Sequence, residues 1–374
     1  VALNAAFLAP GESGGPEVYL RGLLPALAEA HPRTRFTLIT TRRGAAALRL
    51  DGWEDFCRIE ALEADDGNRR ERLTAETLGV PGAARRVGAQ VLHSLASAGP
   101  PIVFGGVRHV ATLHDVTFLR MPTFPRATTL AMGGLMLGVG HGADGLITGS
   151  AAAGREIGER LHIPFERFTV VHHGPGRPPS SVALSPEETR QRHALPPEAR
   201  IVLCVGAKRP HKNQLLLVEA LPHLEGDVVL VLAGHAESYV ERLRARAEEL
   251  GVSGRLRLPD YVEDEELEGL WSLAGATGAA ALPTLGEGFG LPVLEALGRG
   301  VPLACSDLDV LREVGGELLS TFDPHDPRSA AAAITAVLGD RELGARGPAR
   351  AAQFSWERAA RETYAVYERA WAGG

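Results

Sequence analysis

The feature that most constrains the fold of this chain is a regular alternation of short apolar runs with longer helix-like segments. Each run precedes a glycine-rich, polar or helical stretch, and the first is followed by a glycine loop and a helix from Pro16 to about residue 30. In the first half the runs occupy residues 1–9, 36–40, 91–94, 110–114 and 145–148. This rhythm predicts parallel strands joined by helices.

The alternation is interrupted once and then starts again. Six prolines between residues 174 and 200 break regular structure, so we interpret residues 178–199 as a linker. Beyond it we expect strands at residues 201–205, 228–233, 255–258, 278–282 and 302–305, the last of which closes the series. A length of 374 residues favours more than one core. We therefore predict an α/β chain with two Rossmann-like, doubly wound domains, residues 1–177 and 200–355, facing a central cleft.

The richest stretch for chemistry is residues 283–296. A strand is expected to end near residue 282, and a helix begins near residues 289–291 after a glycine turn. A helix start at the carboxyl end of a parallel strand favours an anion such as a pyrophosphate. Glu295, about one turn into the helix, can accept hydrogen bonds from a ribose diol, and Glu287 can reach a sugar hydroxyl.

Cations must balance two carboxylates beside a diphosphate, and they stand in the loop after the first strand of the second domain. Lys208, Arg209 and Lys212 are placed there to neutralise a diphosphate leaving group, a task that a metal ion performs in other enzymes. The alternative is that Glu287 and Glu295 are solvated helix charges. The presence of the glycine turn and of this cation loop disfavours it.

The stretch Glu-Gly-Phe-Gly-Leu-Pro-Val-Leu-Glu-Ala at residues 287–296 resembles the signature of retaining GT-B glycosyltransferases of family 4 (glycosyl transferases group 1), in their mannosyltransferase-like branch. The similarity extends over nearly the whole chain. It includes residues 205–213, similar to the diphosphate loop of the family, and residues 260–267, similar to its segment against the nucleotide base. The fold implied is GT-B.

The resemblance also implies a role for each residue of the site. Glu287 would bind the donor sugar and Glu295 the ribose, while Lys212 and a neighbouring cation hold the diphosphate. The remaining donor contacts of the second domain would come from Gly206, Lys208, Arg209, Tyr261, Val262, Phe289, Gly290 and Leu291. The chain departs from the family at Ala207, where arginine is frequent, and Lys208 or Arg209 would then replace it.

In the first domain the resemblance concerns three places. His114, in a His-Asp segment, would lie against the donor sugar near the reacting centre, and Gly14 and Gly15 would face its phosphates. Residues 356–374 resemble the closing helix that crosses back onto the first domain.

Other constellations are better explained without a ligand. His114 and Asp115 are neighbours on a strand and point to opposite faces, which disfavours a shared metal. Residues 307–309, a D-x-D pattern, are expected to form a turn and a helix start, and His172 and His173 a crossover position between domains. We expect no metal and no other cofactor.

The function predicted is transfer of a hexose from a nucleotide diphosphate sugar, of the GDP-mannose or UDP-glucose type, to an acceptor hydroxyl with retention. The acceptor is open between a lipid-linked glycan, a polysaccharide and a natural-product aglycone. A nucleotide-sugar epimerase, an NAD-dependent oxidoreductase and an inactive sugar-nucleotide sensor stay as alternatives, although no G-x-G-x-x-G follows the first strand.

Composition narrows the partners and the compartment. A net charge of −7 argues against a nucleic-acid binder. Three scattered cysteines and the lack of a signal-peptide pattern suit the cytoplasm. The glycines of residues 133–145 indicate close helix packing, and they leave open a peripheral contact of the first domain with the inner face of the membrane.

Overall fold

A computed structural model describes residues 1–11, 13–64, 71, 74–121, 125–177, 179–235 and 238–373. The chain divides into two compact units, Val1–Gly174 with Phe354–Gly374, and Pro175–Gln353. Both are three-layer α/β units built on parallel sheets, as the alternation predicts.

The first unit contains a sheet with the order β3-β2-β1-β4-β5-β6-β7, in which all pairs are parallel. On the central strand, Leu3 lies opposite Leu38 of β2 and His93 of β4. The strands are β1 Ala2–Asn4, β2 Thr37–Thr41, β3 Arg58–Leu62, β4 Val91–Ser94, β5 Arg108–Thr112, β6 Gly145–Thr148 and β7 Phe168–Val170. The helices are α1 Gly15–Ala30, α2 Arg42–Leu50, α3 Val80–Arg86, α4 Thr117–Arg120, α5 Arg126–Gly142, α6 Ala151–Leu161 and, from the chain end, α16 Trp356–Ala372.

The second unit contains a parallel sheet with the order β10-β9-β8-β11-β12-β13. Its strands are β8 Arg200–Val205, β9 Val228–Ala233, β10 Leu256–Arg257, β11 Ala279–Leu282, β12 Leu303–Ser306 and β13 Leu319–Phe322. Its helices are α7 Pro186–Arg192, α8 Gln214–Ala220, α9 Tyr239–Glu249, α10 Asp264–Thr277, α11 Leu291–Gly298, α12 Asp309–Gly315, α13 Pro327–Val337, α14 Arg341–Ala345 and α15 Gly347–Ala351. In both sheets the strand order reverses beside the first strand, between β1 and β4 and between β8 and β11. At such a switch point the loops after the two strands diverge and leave room for a ligand.

The last helix belongs to the first unit. Ser355 caps its start by accepting a hydrogen bond from the backbone of Arg358, and its apolar side packs into the core formed with α1 and the sheet. Val366 and Tyr367 are buried there, and the charged residues of the helix lie largely on the outer side.

The interpretation of residues 178–199 as a linker is wrong. They belong to the second unit and contain α7, which starts with a complete capping box in which Ser185 and Glu188 exchange side-chain-to-backbone hydrogen bonds. Pro186 does not interrupt structure, because the first turn of a helix has no use for the missing N–H. The expected boundary residues Pro178 and Gly374 lie outside the described residues.

Two further expectations need correction. Residues 302–305 do not close the second sheet, since β13 pairs in parallel with β12 along Leu303–Ser306. Phe354 and Ser355, expected in the second domain, group with the first unit. Strands β3 and β7 in the first unit are additional to those expected; β3 begins with arginine and β7 has three residues, so neither shows an apolar run of strand length.

Most of the glycines within residues 133–145 pack closely, as expected, but a Cβ on Gly134 would meet open space. A Cβ on Gly138 or Gly142 would lie 2.9 or 2.7 Å from Pro101, and one on Gly140 would lie 2.3 Å from Ile163. Leu130, nearer the start of α5, is 76% exposed.

Candidate active site

Two loops meet at the switch point of the second sheet. The loop after β8 and the loop after β11 are joined by the backbone N–H of Leu285, which donates to the carbonyl of His211 at 2.9 Å. The hydroxyl of Thr284 donates to the same carbonyl at 3.3 Å. The predicted cation loop and the predicted glutamate segment therefore lie together, as their positions after neighbouring strands require.

The two loops place Lys212 against Glu287. The ammonium nitrogen lies 2.6 Å from Oε1 of the carboxylate, with the side chains 24% and 12% exposed. Lys208 and Lys212 are the only lysines in the sequence, among 39 lysines and arginines, and both stand in this loop. Lysine presents a compact point charge with three rotatable donors, whereas arginine presents a planar fork. An ammonium held by one carboxylate can still donate to a phosphate oxygen.

The next feature is the start of α11. Gly290 precedes it with φ of 91°, and a Cβ at that position would lie 2.7 Å from Leu311, so only glycine fits there. Among the described residues no side chain caps this helix start, and Pro292 in the first turn lacks an N–H that the helix does not need. Phe289 is buried and Leu291 is half-buried. Pro292 has no N–H, and the N–H of Val293 donates to the carbonyl of Gly290 at 2.9 Å. What this start offers an anion directly after Glu287 is therefore chiefly the positive end of the helix dipole.

Glu295 lies one turn into α11 and is half-buried. Its Oε1 accepts the backbone N–H of Arg177 at 3.2 Å, and a Cβ on Gly176 would lie 2.1 Å from the same oxygen. Burial raises the pKa of Glu295, while the N–H of Arg177 and the charge of Arg299 oppose the rise. The backbone segment of residues 176–177, here called the strap, thus orients one carboxylate oxygen of Glu295.

Arg299 holds this arrangement together. It forms a buried ion pair with Glu268 of α10, and it donates at 3.2 Å to the carbonyls of Arg177 and Glu295. Its guanidinium also lies over the ring of Trp271, 5.6 Å from the ring centroid. The sequence prediction missed Gly176, Arg177, Glu268 and Arg299, because they lie outside the family motif and meet Glu295 only through tertiary packing.

Lys208 has a different place from the one expected. Its side chain is fully buried, and Nζ donates to the carbonyls of Gly234 and, at 2.7 Å, Pro259. Burial lowers the pKa of Lys208 to about 8. The ammonium is directed into the loops after β9 and β10, so we revise its role from a phosphate ligand to a tie between loops. Arg209, half-buried, stays the candidate second cation.

The other predicted donor contacts lie on these tied loops. Gly206 has φ of 147° and open space where a Cβ would stand. Beyond β10, Tyr261 is 67% exposed, while Val262 is buried. The structure thus leaves the ring of Tyr261 accessible for contact with a base.

His114 lies after β5 in the first unit. Its backbone N–H donates to Ser97 Oγ at 2.8 Å, and its ring Nε2 lies 2.7 Å from the carbonyl of Leu95. Because a carbonyl only accepts, Nε2 carries the proton and Nδ1 presents a lone pair. Burial lowers the pKa of His114, so the ring is neutral at neutral pH. A neutral imidazole with a fixed tautomer can accept a hydrogen bond from a sugar hydroxyl.

Gly14 and Gly15 lie at the start of α1. Gly14 has φ of 60° and ψ of −133°, and a Cβ on either glycine would meet open space. Glu17 in the first turn accepts the backbone N–H of Gly11 at 2.9 Å and pairs with Arg21. This carboxylate ties down the loop before the helix. Glu12 of the same loop lies outside the described residues.

The remaining motifs have structural partners. Asp115 accepts the N–H of Thr117 at 2.8 Å. Asp307, which precedes α12, forms an ion pair with Arg312 in that helix. Among the described residues there is no cluster of three or more His, Cys, Asp or Glu side chains suited to a metal. Within the same part of the chain, no helix is long and apolar enough to cross a membrane.

The fold as a whole is that of GT-B glycosyltransferases, with two Rossmann-like units. Sucrose-phosphate synthase from Thermosynechococcus elongatus superposes with a TM-score of 0.77 at 21% identity, covering 100% of this chain and 99% of that one. At this identity the likeness concerns the fold.

The family described as Glycosyl transferases group 1 matches residues 185–353, which lie within the second unit. O-antigen chain mannosyltransferase B of Escherichia coli is 36% identical over 174 residues, 44% of this chain and 45% of that protein. A D-inositol 3-phosphate glycosyltransferase of Thermobispora bispora is 31% identical over 252 residues, 61% and 56% of the two chains. The chain thus spans about half the length of these relatives.

Proposed function

We propose that this chain is a retaining glycosyltransferase of the family 4 type, which moves a hexose from a nucleoside diphosphate sugar to an acceptor hydroxyl. The observation that carries the proposal is the Lys212–Glu287 pair at the switch point, directly before the uncapped start of α11. A cation, a helix start and a carboxylate that can accept a sugar hydroxyl lie together, and this combination supports binding of a glycosyl diphosphate.

In the proposed reaction, the bond between the anomeric carbon and the diphosphate oxygen breaks, and that oxygen keeps the electron pair. Lys212 and the positive end of the α11 dipole stabilise the developing charge. The acceptor oxygen then bonds to the anomeric carbon on the same face, and its proton passes to the leaving diphosphate. Glu287 holds a sugar hydroxyl, and Nδ1 of His114 accepts another.

Protein cations take over the charge neutralisation in this scheme, so we propose that turnover is independent of a divalent metal. For the donor, GDP-mannose is our first choice because a relative of 36% identity is named a mannosyltransferase. UDP-glucose is the second choice.

The test is a panel of nucleoside diphosphate sugars, with detection of the released nucleoside diphosphate in the presence and absence of acceptors. We expect acceptor-dependent release that persists in EDTA. Conversion of the sugar without any acceptor would favour the epimerase, and oxidation with NAD would favour the oxidoreductase. Binding of a donor without any turnover would favour the inactive sugar-nucleotide sensor.

Site variants sharpen the test. Lys212→Met and Glu287→Gln should each lower kcat by roughly 100- to 1000-fold, the range for the loss of one group that stabilises transition-state charge. Glu225→Gln is the matched control, because Glu225 is 73% exposed and pairs with Arg200 at the surface. Equal rates for the site variants and the control would overturn the assignment.

The two lysines allow a direct probe of the phosphate site. An amine-reactive reagent should modify Lys212 faster than the buried Lys208, and a nucleoside diphosphate should protect Lys212 where the nucleoside alone does not. Peptide mapping by mass spectrometry reads both sites. Equal protection by nucleoside and nucleoside diphosphate would place the phosphates elsewhere.

The acceptor classes to screen are lipid-linked glycans, polysaccharides and natural-product aglycones. We propose that the protein acts in the cytoplasm, an assignment that the three buried, unbridged cysteines support. Flotation with vesicles of anionic lipid tests whether the first unit also contacts the inner membrane surface.

A further inference from the structure

Four aromatic side chains of the first unit form a continuous set of ring contacts, here called the aromatic layer: Tyr19, His114, His173 and Trp356. Tyr19 contacts His114 edge-on with ring centroids 5.1 Å apart, and His173 contacts His114 at 5.5 Å. Trp356 lies behind both, 5.9 Å from Tyr19 and 5.9 Å from His173, nearly parallel to the latter. His114 is thus backed by two rings, and Trp356 backs those two.

The backbone segments around Trp356 pack directly against its indole ring. A Cβ on Gly22 of α1 would lie 2.1 Å from the indole ring, and one on Gly174 would lie 2.6 Å from it. Two separate segments therefore carry glycine where any larger residue would displace this ring. The close fit fixes where the indole stands, and through it where Tyr19 and His173 stand.

Tyr19 is also fixed at its hydroxyl, and by the same helix. Its OH lies 3.1 Å from the hydroxyl of Thr112, which lies 2.8 Å from Nε2 of His93. Nδ1 of His93 lies 2.7 Å from the hydroxyl of Tyr367 on α16. The last helix thus secures Tyr19 twice, by Trp356 at the ring and by Tyr367 through a buried hydrogen-bond chain.

We propose that Trp356 is a positioning residue for His114. The last helix, which returns to the first unit from the end of the chain, completes the wall that holds the imidazole in its reactive orientation. The inference rests on the proposed function, in which Nδ1 of His114 accepts a hydroxyl of the donor sugar.

The need for such a wall follows from how His114 is held. One ring nitrogen is bound to the carbonyl of Leu95 at 2.7 Å, but a single hydrogen bond leaves the ring free to rock about it. Ring contacts from Tyr19 and His173 restrict that motion, and they lose their own backing when the indole is removed. Because Nδ1 must meet a hydroxyl at hydrogen-bond distance, a displacement of about 1 Å can lower the rate by roughly 100-fold.

The test compares Trp356→Ala, Trp356→Phe and the control Trp371→Ala on the same helix, where Trp371 is 51% exposed. For Trp356→Ala we expect kcat to fall by about 10- to 100-fold, while KM for the donor, whose nucleotide contacts lie in the second unit, changes by less than about threefold. Trp356→Phe should recover a large part of kcat. The Trp371 control should match the parent protein.

A second readout does not need activity. In protein labelled with ¹⁵N-histidine, with His114 assigned through His114→Gln, long-range proton–nitrogen correlations should show the Nε2–H tautomer for the parent and a mixture for Trp356→Ala. An unchanged tautomer together with an unchanged kcat would overturn the proposal. If Trp356→Ala does not fold, Trp356→Leu, which keeps an apolar side chain but removes the ring, decides by the same two measurements. Absence of turnover in the parent would count against the proposed function, and the tautomer would still decide the positioning role.

Discussion

The strap at residues 176–177 allows a sharp test of how Glu295 is used. Gly176→Ala adds one methyl group, and that carbon would lie 2.1 Å from Oε1 of Glu295. The backbone of Gly176 is not in the left-handed region, so alanine can adopt it without torsional strain. The substitution therefore acts through the contact of the new methyl group with the side chain of Glu295.

The expected magnitude follows from this geometry. An ordinary contact between heavy atoms is about 3.5 Å, so the carboxylate or the strap must move by more than about 1 Å. A hydrogen bond to a ribose hydroxyl cannot survive such a shift, because these bonds have a range of about 2.5–3.0 Å. A hydrogen bond to a charged group contributes about 1.5–3 kcal/mol. The loss of one such bond predicts a Kd for the nucleoside diphosphate that is about 10- to 100-fold higher.

Isothermal titration calorimetry with GDP and UDP measures this change, and Gly226→Ala is the control because a Cβ there would meet open space. The parent should also discriminate between ribo- and 2′-deoxyribonucleoside diphosphates, and Gly176→Ala should lose that discrimination. If the variant binds both with the affinity of the parent, Glu295 does not hold the ribose.

Three further predictions concern stability. Between pH 8 and about 10.5 the unfolded chain binds more protons at Lys208 than the folded chain does, because burial lowers the folded pKa to about 8. The free energy of unfolding of the parent should therefore rise with pH relative to Lys208→Met in that window, by at most about 1.4 kcal/mol per pH unit; parallel pH profiles in urea denaturation would contradict this. Arg299→Leu should cost about 3–5 kcal/mol because Glu268 stays buried without its partner, whereas Arg200→Leu at the surface should cost less than about 1 kcal/mol. The double variant Glu268→Leu with Arg299→Leu should recover much of the loss, and denaturant midpoints measure all three. Gly290→Ala should lower the free energy of unfolding by about 1–3 kcal/mol, since its φ of 91° and the nearby Leu311 both oppose a Cβ; a midpoint equal to that of the parent would contradict the steric argument.

The parallel α/β class and the meeting of the two site loops could be predicted because they depend on chain order and on where strands end. Loops after β8 and β11 flank the reversal of the second sheet, so Lys212 and Glu287 meet whatever the details of packing. The motif at residues 287–296 added the predicted role of each glutamate, the donor sugar for Glu287 and the ribose for Glu295. This part of the site is local in sequence and needs little tertiary information.

The linker was predicted wrongly although a contrary signal stands in the sequence. Ser185, Pro186 and Glu188 have the spacing of a capping box with proline in the first turn, and the structure has that box. The high number of prolines suggests a segment without regular structure, but a proline that directly follows a capping serine favours the start of a helix. The position of a proline within the first helical turn, and not the number of prolines in the segment, therefore decides its effect.

Lys208 shows what sequence reasoning could not reach. Four positions separate it from Lys212, both are cationic, and both stand in the loop expected to face phosphate. Their environments differ because the carbonyls of Gly234 and Pro259 come from the loops after two other strands. These loops come together only in the folded sheet, so the sequence around residue 208 contains no signal that predicts the contacts.

The division between the two lysines links the base to the leaving group. Lys208 ties the loop after β8 to the loops after β9 and β10, the second of which leads to Tyr261. Lys212, four residues later in the same loop, holds Glu287 at the predicted phosphate end. A change in the loop that carries Tyr261 would therefore move the backbone that carries Lys212. Under the proposed function, the way the nucleotide binds thus sets the position of the Lys212 charge that stabilises departure of the diphosphate.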